Sequence, residues 1–487
     1  MQTAGTTIRF IGFSLMSLFI LMIVSIVVSI INHFDPGFYP LLISAGLTLV
    51  SGLSCISSTK AAKNITILNG YWIVTGCWVV CCLFGALPFA FYGNEFGLIN
   101  AWFESVSGFT TTGASILNDI EAVPKSLLFW RIATSWIGGI GVVSLISIVI
   151  SANDDRHSIM AGMELSTIAK EFYKGRRKQF IYRILTVYVA LTLASFFSLH
   201  LAGMGWFDAA THAMSACSTC GFSTKNNSVA FFDNPLIEGI LIVSMLLAAI
   251  NFSLLFSTFW PRGSNRKNIF NTKLVRFFLC AVLLGTVILS VDLWATGTVP
   301  SVGAAFRVSA FQMCSITTTT GFATTDTNLW PSLCKGILLI GSLVCGCSGS
   351  TSGGIKIDRV WQALKGCSEM FRSLTDPSKY NYVRVEEHSK SEAEIASVMS
   401  FIVFYLLITG LGAVVYLFGG LDFHTGFSAS IACMGNVGPG FGDVGSMDNY
   451  AALSSFLKLF STLLMLLGRL EIYPILIVIG SMLKPEQ

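Results

Sequence analysis

Four short stretches carry the residues most able to do chemistry: Ser107-Gly-Phe-Thr-Thr111-Thr112-Gly113, Ser215-Ala-Cys-Ser-Thr219-Cys220-Gly221, Ser315-Ile-Thr-Thr-Thr319-Thr320-Gly321 and Ala432-Cys-Met-Gly-Asn436-Val437-Gly438. Their terminal glycines lie 108, 100 and 117 positions apart. A turn of small and hydroxyl residues ending on glycine has the dihedral freedom to aim successive carbonyls the same way. Four such turns facing one another would form rings of carbonyl oxygens able to replace the water shell of a dehydrated monovalent cation. Thr-Gly strings also punctuate ordinary loops. Four copies in register, each after a short apolar segment and before a long one, speak against that reading. No rival chemistry is organised: His33, His157, His200, His212, His388 and His424 are scattered, with no Ser-His-acid or metal-ligand cluster on one element. Cys217 and Cys220 have the spacing of a metal or redox pair, but without a second pair or a spaced His they read as small residues in a turn.

The elements that must position these turns are membrane spans. Of 487 residues 53% are hydrophobic and 11% charged, and the mean hydropathy is +0.71, which excludes a water-soluble surface. The net charge of +4 comes from 30 basic and 26 acidic residues, the basic ones beside spans, which argues against nucleic acid as a partner. The N-terminus runs into an apolar stretch with no small-residue cleavage site and reads as a first span. About 20 apolar residues cross a hydrocarbon core of about 30 Å as a helix. Runs 10–31 and 38–56 make a hairpin whose turn, 32–37, lacks Lys and Arg, while Arg9, Lys60 and Lys63 flank its other ends. The positive-inside rule then places the N-terminus in the cytoplasm.

Four repeats follow, each a span, a short apolar segment, a glycine turn and a second span. The spans are 71–91 and 127–150, 180–202 and 236–260, 277–294 and 333–345, and 395–418 and 453–483. The short segments, 98–109, 206–217, 302–316 and 423–433, are too short to cross and fit re-entrant half-helices. Ten crossings and four half-entries result, with both termini cytoplasmic. The expected division is 1–66 for the hairpin, then 67–152, 153–268, 269–390 and 391–487. Two crossings per repeat make the copies parallel, so they can close around an axis along the membrane normal. The fold expected is an all-α membrane protein: a pseudo-tetrameric ring of four membrane-pore-membrane repeats plus an N-terminal two-helix hairpin. Each half-helix points its partially negative C-terminal end at the site, which favours a cation. Asp119, Glu121, Asp326, Asp443 and Asp448, against Lys125, Lys225 and Lys335, give the outer mouth an acidic excess.

Thr-Thr-Thr-Gly113-Ala-Ser, Thr-Gly321-Phe-Ala-Thr-Thr-Asp, Gly435-Asn-Val-Gly438-Pro-Gly and Gly468-Arg469-Leu-Glu-Ile-Tyr-Pro resemble the TrkH/TrkG branch of the Trk/Ktr/HKT superfamily of potassium transporters. The resemblance covers nearly the whole chain, the N-terminal hairpin included. It implies K⁺ uptake across a bacterial inner membrane through a filter of Thr111, Thr112, Gly113, Thr219, Cys220, Gly221, Thr319, Thr320, Gly321, Asn436, Val437 and Gly438. K⁺ is then the bound and transported ion, and the chain carries no other cofactor. Cys220 and Val437 replace threonine before the glycine, which makes main-chain carbonyls the common ligand. One-glycine turns give fewer stacked sites than a longer channel loop, so some Na⁺ leakage is expected. The residues are equally compatible with passive flux and with H⁺ or Na⁺ symport.

Below the third turn, Gly346-Cys-Ser348-Gly349-Ser350-Thr351-Ser352-Gly353-Gly354-Ile-Lys356 follows an apolar run of only about 13 residues, a break where the other repeats continue. No Gly-Lys-Ser/Thr ends it, so it is no phosphate loop. A flexible plug fits, with a helix kink or early turn as the plainer reading, and in the resembled family this loop is the gate. Arg469, inside an otherwise apolar helix, is a costly intramembrane charge and hence a functional candidate. Glu471, two residues on, does not share its helix face. The resemblance implies that Arg469 reaches the pore beneath the filter. It also implies a TrkA-like cytoplasmic nucleotide-binding subunit, docking on charged segments 152–179 and 366–392, and a homodimer within membrane lipid. The alternative is a Na⁺-coupled secondary transporter of a small organic solute, which explains Gly-rich breaks but not four parallel re-entrant turns.

Overall fold

The computed structural model describes residues 2–59, 67–151, 177–260, 268–375, 383–385 and 388–483. The N-terminal hairpin is α1 (Gln2–Ile31) against α2 (Phe38–Ser57). Its turn is pinned by one carboxylate: Asp35 accepts from Ser29 Oγ at 2.6 Å, Ser126 Oγ at 2.6 Å and Ser126 N at 2.9 Å. That bond to Ser126 N caps the helix Lys125–Ser151 and so fixes the hairpin to the first quarter of the molecule.

Four similar units follow. The first is α3 (Ile67–Tyr92), α4 (Leu98–Phe109) and α5 (Lys125–Ser151). The second is α6 (Arg177–Leu201), α7 (Trp206–Ser218) and a pair, α8 (Pro235–Ala248) with α9 (Phe252–Phe259). The third is α10 (Lys273–Ala295), α11 (Val302–Thr317) and α12 (Ser332–Leu343), from which a loop leads to α13 (Ile357–Thr375). The fourth is α14 (Glu392–Phe418), α15 (Phe423–Gly435) and a second pair, α16 (Ser455–Arg469) with α17 (Tyr473–Leu483). The half-helices α4, α7, α11 and α15 hold 12, 13, 16 and 13 residues. They begin where polar residues stop and the chain must turn inward: Ser301 Oγ caps α11 through Ala304 N, and Asp422 caps α15 through His424 N and Thr425 N. The lipid-facing sides of α1, α2, α10 and α14 remain apolar and exposed, as at Ile20, Val50, Leu284 and Leu411, since lipid rather than protein covers such surfaces.

Three expectations need correction. The third unit is not alone in breaking its second helix. The α8–α9 pair bends by 107° and the α16–α17 pair by 109°, so only α5 runs through. Asn251 causes the first break: its Oδ1 caps α9 through Ser253 N at 2.9 Å and Leu254 N at 3.2 Å, satisfying a fresh helix start in mid-membrane. At the second break Glu471 and Ile472 take left-handed φ of 57° and 63°, and Pro474 in the first turn of α17 forbids a continuous helix. Six helices among the described residues are long and apolar enough to cross a membrane, eight with each bent pair as one span. The expected ten are reached only by adding α5 and α12, the latter of 12 residues. Finally, residues 366–375 are not loop but the end of amphipathic α13, and Val383–Val385 pairs antiparallel with His388–Lys390. Lys60, Lys63 and the basic segment 152–176 lie outside the described residues.

Candidate functional site

Each half-helix ends in the same way. Thr112 N bonds Ser107 O at 2.9 Å, Cys220 N bonds Ser215 O at 3.1 Å, Thr320 N bonds Ser315 O at 2.8 Å and Val437 N bonds Ala432 O at 2.9 Å. These are six-to-one Schellman closures, which require a left-handed residue just past the helix. Thr111, Thr219, Thr319 and Asn436 occupy it, with φ of 53°, 55°, 59° and 53°. Three are β-branched, for which this region is an outlier costing on the order of 1–3 kcal/mol each. Such strain repeated three times marks a backbone held for a purpose.

The glycines two residues later are left-handed as well, and they lock the four turns together. A methyl group on Gly113 would strike the carbonyl oxygen of Cys220, on Gly221 that of Thr320, on Gly321 that of Val437, and on Gly438 that of Thr112, each within 2.5 Å. The contacts run from unit one to two, two to three, three to four and four back to one. Glycine is therefore required for close approach as much as for dihedral freedom. The carbonyls of Thr112, Cys220, Thr320 and Val437 occupy equivalent places in this circuit. The hydroxyls of the threonines before the glycine are engaged elsewhere: Thr112 Oγ1 pairs with Thr110 Oγ1 at 2.7 Å and accepts from Asn436 Nδ2 at 3.0 Å, and Thr320 Oγ1 pairs with Thr318 Oγ1 at 2.8 Å.

Outside the glycines the outgoing limbs are stitched at all four seams. Ile120 N donates to Asn226 Oδ1 at 2.7 Å, Ala230 N to Ala323 O at 3.1 Å, Gly442 N to Asn328 Oδ1 at 2.9 Å and Tyr450 N to Ser115 O at 2.8 Å. At this outer collar Asp119 accepts from Asn226 Nδ2 at 2.9 Å, which holds its carboxyl below the usual range. Asp448 moves the other way: partial burial, with repulsion from Asp326 and Asp443, raises its carboxyl above the usual range. Lys225 lies 3.6 Å from Glu121 and offsets the acidic excess there.

Segment 346–356 touches the second, third and fourth units directly, and the first only by way of Arg469. Gly353 N donates to Thr319 Oγ1 at 2.9 Å, directly beneath the third turn, and a methyl group there would strike Gly435 O of the fourth unit. Thr351 Oγ1 bonds Cys217 O at 3.1 Å and Ala248 O at 3.2 Å in the second unit. The α8–α9 break receives the same loop, with Asn251 Nδ2 on Ser348 O at 2.8 Å and Phe252 N on Gly349 O at 3.1 Å. Ser350 Oγ meets Ser352 Oγ at 2.8 Å, while Gly346 and Gly354 close the loop's base through Ile357 N to Gly346 O and against Cys345. Arg469 completes the plug: Nη1 donates to Thr351 O at 2.6 Å and Nη2 to Gly138 O, in unit one, at 3.1 Å. It is not inside a helix but the last residue of α16, where a cation also complements the helix dipole. It is 4% exposed, and no ion pair joins it to a carboxylate among the described residues. Glu471 instead pairs with Arg359 of α13 at 2.5 Å.

The fold agrees with what this chain is similar to in sequence and in structure. Residues 43–486 match the TrkH family, described as cation transport protein. The chain belongs to the TrkH family. The Trk system potassium uptake protein TrkH of Halomonas elongata is 31% identical over 96% of this chain and 97% of its own length. The corresponding TrkG of Escherichia coli K12 is 32% identical over 89% and 88%. The crystal structure of the potassium transporter TrkH from Vibrio parahaemolyticus superposes with a TM-score of 0.89 at 28% identity, covering 100% of this chain and 99% of that one. Membership makes this a multi-pass membrane transport protein and not an enzyme.

In this TrkH-family chain every turn residue expected from the sequence sits in the circuit, and every plug residue lies in the loop beneath it. Cys217 and Cys220 are buried free thiols, and no metal-binding group of His, Cys, Asp and Glu occurs among the described residues. Sequence reasoning missed three contributors: Asn251, the Arg359–Glu471 pair, and the buried pair Glu104–Arg131 behind the first turn, at 2.5 Å. A signal existed for the first and the last. Asn251 is a polar residue inside an apolar run, and Glu104 and Arg131 are charges within membrane segments, which ask for a partner.

Proposed function

We propose that this chain takes up K⁺ across a bacterial inner membrane through a filter lined by the carbonyls of the four glycine turns. One observation carries this: the glycine-to-carbonyl contacts form a closed circuit of four equivalent turns at the tips of inward-pointing half-helices. Carbonyl rings at the C-terminal ends of helices favour a dehydrated monovalent cation. The printed names of the relatives, potassium uptake proteins of Trk systems, support K⁺ as that cation. The quadrants are 67–152, 153–268, 269–390 and 391–487, with 1–66 as a flanking hairpin and both termini cytoplasmic.

The loop 346–356 is the gate, closed here by Arg469, whose charge and hydrogen bond to Thr351 O both oppose passage. A cytoplasmic nucleotide-binding subunit of the TrkA type opens it by acting on α13. The exposed Leu364, Phe371 and Leu374 support a docking role for that helix, which follows the gate directly. Of the docking segment 152–179, residues 152–176 lie outside the described residues, and homodimerisation rests on the resemblance alone. Na⁺ leaks through the short filter to a small extent. A Na⁺-coupled solute carrier is disfavoured because the relatives' printed names are potassium uptake proteins.

The test is growth of a potassium-uptake-deficient bacterium on low K⁺ with this chain expressed, together with ⁸⁶Rb⁺ or K⁺ flux into proteoliposomes. Rescue and flux are expected. Transport of an organic solute without K⁺ permeation would overturn the reading.

A further inference from the structure

We infer that Glu104 and Arg131 form a buried strut that sets the ion selectivity of the ring by holding the outgoing limbs of the first two turns. The inference rests on the transport reading above. Glu104 lies on α4, nine residues before Gly113, and Arg131 on α5. The pair is 0% and 1% exposed. Both carboxylate oxygens reach the first limb: Oε1 accepts from Ser115 Oγ at 3.0 Å and Oε2 from Ile116 N at 3.1 Å. The guanidinium reaches the second limb, donating from Nη1 to Ser223 O at 3.1 Å with its carbon 3.5 Å from the centre of the Phe222 ring. Ser115 and Ser223 each stand two residues past their glycine. One ion pair therefore fixes the same backbone position in two adjacent turns. Through Ser115 O, which accepts from Tyr450 N at 2.8 Å, it also touches the fourth unit's limb.

The other units use neutral pegs at the same level. His212 places Nε2 3.0 Å from Ser223 Oγ, Gln312 Nε2 donates to Thr325 O at 3.3 Å, and Ser428 Oγ accepts from Phe441 N at 2.8 Å. Charge-assisted bonds are stronger than neutral ones, and of these four devices only the Glu104–Arg131 pair bridges two units. A buried ion pair is poor value as stabilisation, since apolar replacements are often as stable. What it does supply is directional bonding to backbone atoms that an apolar pair cannot hold. Discrimination between K⁺ and Na⁺ depends on how carbonyl oxygens are spaced and how freely they close on a smaller ion. Loosening this seam should let the adjacent carbonyls follow Na⁺ inward. Glu104 and Arg131 are thus positioning residues, acting through the limbs rather than touching the ion.

The test measures K⁺ and Na⁺ influx into proteoliposomes holding the full chain, for wild type, Glu104→Gln, Arg131→Lys, Ser115→Ala and Phe222→Leu. The K⁺/Na⁺ flux ratio is expected to fall by about fivefold or more in the first two variants, the change that losing one ordinary hydrogen bond brings. It should fall less, in the same direction, in the last two. Asp233→Asn, on the exposed rim, should leave the ratio unchanged. Should the charge variants fail to fold, Ser115→Ala and Phe222→Leu decide the matter. An unchanged ratio in every folded variant, with K⁺ flux retained, would show the strut to be structural only and overturn the inference. Absence of K⁺ flux in the wild type would overturn the transport reading as well.

Discussion

Arg469 is the residue at which the gate can be tested most directly. Its guanidinium spends one bond on the plug, to Thr351 O at 2.6 Å, and one on the first unit, to Gly138 O at 3.1 Å. A hydrogen bond from a charged donor contributes about 1.5–3 kcal/mol. Losing the Thr351 bond alone should therefore shift the loop from closed to open by about 10- to 150-fold. Charge adds to this, since a unit charge about 4 Å from a passing cation opposes it by about 4 kcal/mol at an effective dielectric constant near 20. Arg469→Ala removes both effects and should raise K⁺ flux in proteoliposomes by at least about tenfold without the regulatory subunit. Arg469→Lys separates them. It keeps the charge but cannot span both carbonyls, so a leaky Lys variant assigns closure to the hydrogen bonds and a tight one to the charge. Stability gives a second readout of opposite sense to ordinary core damage. Arg469 has no carboxylate partner among the described residues, and an uncompensated buried charge costs several kcal/mol, so Arg469→Met should raise the detergent-solubilised melting temperature. Flux equal to wild type in Arg469→Ala at equal expression would refute the gating argument.

The remaining predictions concern the ring, its outer collar and the Arg359–Glu471 pair. Alanine at Gly113, Gly221, Gly321 or Gly438 should abolish complementation on low K⁺, with Gly438→Ala the least severe because its new methyl group would have the most room. Retained K⁺ flux in Gly113→Ala would refute the close-packed circuit. Asp448 has its carboxyl raised in the folded state by burial and by Asp326 and Asp443. The folded protein therefore binds the proton more tightly than the unfolded chain, so this group's penalty grows as pH rises through its folded pKa and is absent below its unfolded pKa. Asp448→Asn should accordingly stabilise the protein at neutral pH and not at about pH 3, read as a melting-temperature difference against pH, and should weaken K⁺ capture at low concentration. Glu471→Gln breaks the Arg359–Glu471 pair and leaves a buried guanidinium, which costs about 3–5 kcal/mol. It should lower the melting temperature, where Arg469→Met raises it, and equal shifts of both would refute their separate roles.

The turns were legible because their chemistry is local. A Schellman closure needs only six residues, a left-handed position and a nearby glycine, and all of these sit inside one heptapeptide of each unit. The same locality made the half-helices readable: the predicted 98–109 is the observed Leu98–Phe109, and the other three differ by one or two terminal residues. The membrane sharpened this further, since a 12-residue apolar segment has no other way to satisfy its backbone.

What escaped was set by distant partners. A stretch from Leu236 to Trp260 has the length and hydropathy of one span, and hydropathy cannot register that Asn251 exchanges a helical bond for bonds to Ser348, Ser253 and Leu254. That exchange is supported by the loop 346–356, nearly a hundred positions away in sequence, which arrives at the break with carbonyls to offer. Break and loop therefore define each other. The continuous α5 has no such loop to receive; its Gly138 carbonyl instead accepts from Arg469, which belongs to the other broken pair. Two interruptions and one charge thus converge on a single loop beneath the ring. On the gating reading proposed above, moving the loop takes Ser348 O from Asn251, Gly349 O from Phe252 N and Thr351 O from Arg469. Water entering the path can supply those partners, so that reading ties hydration of the path to movement of the loop.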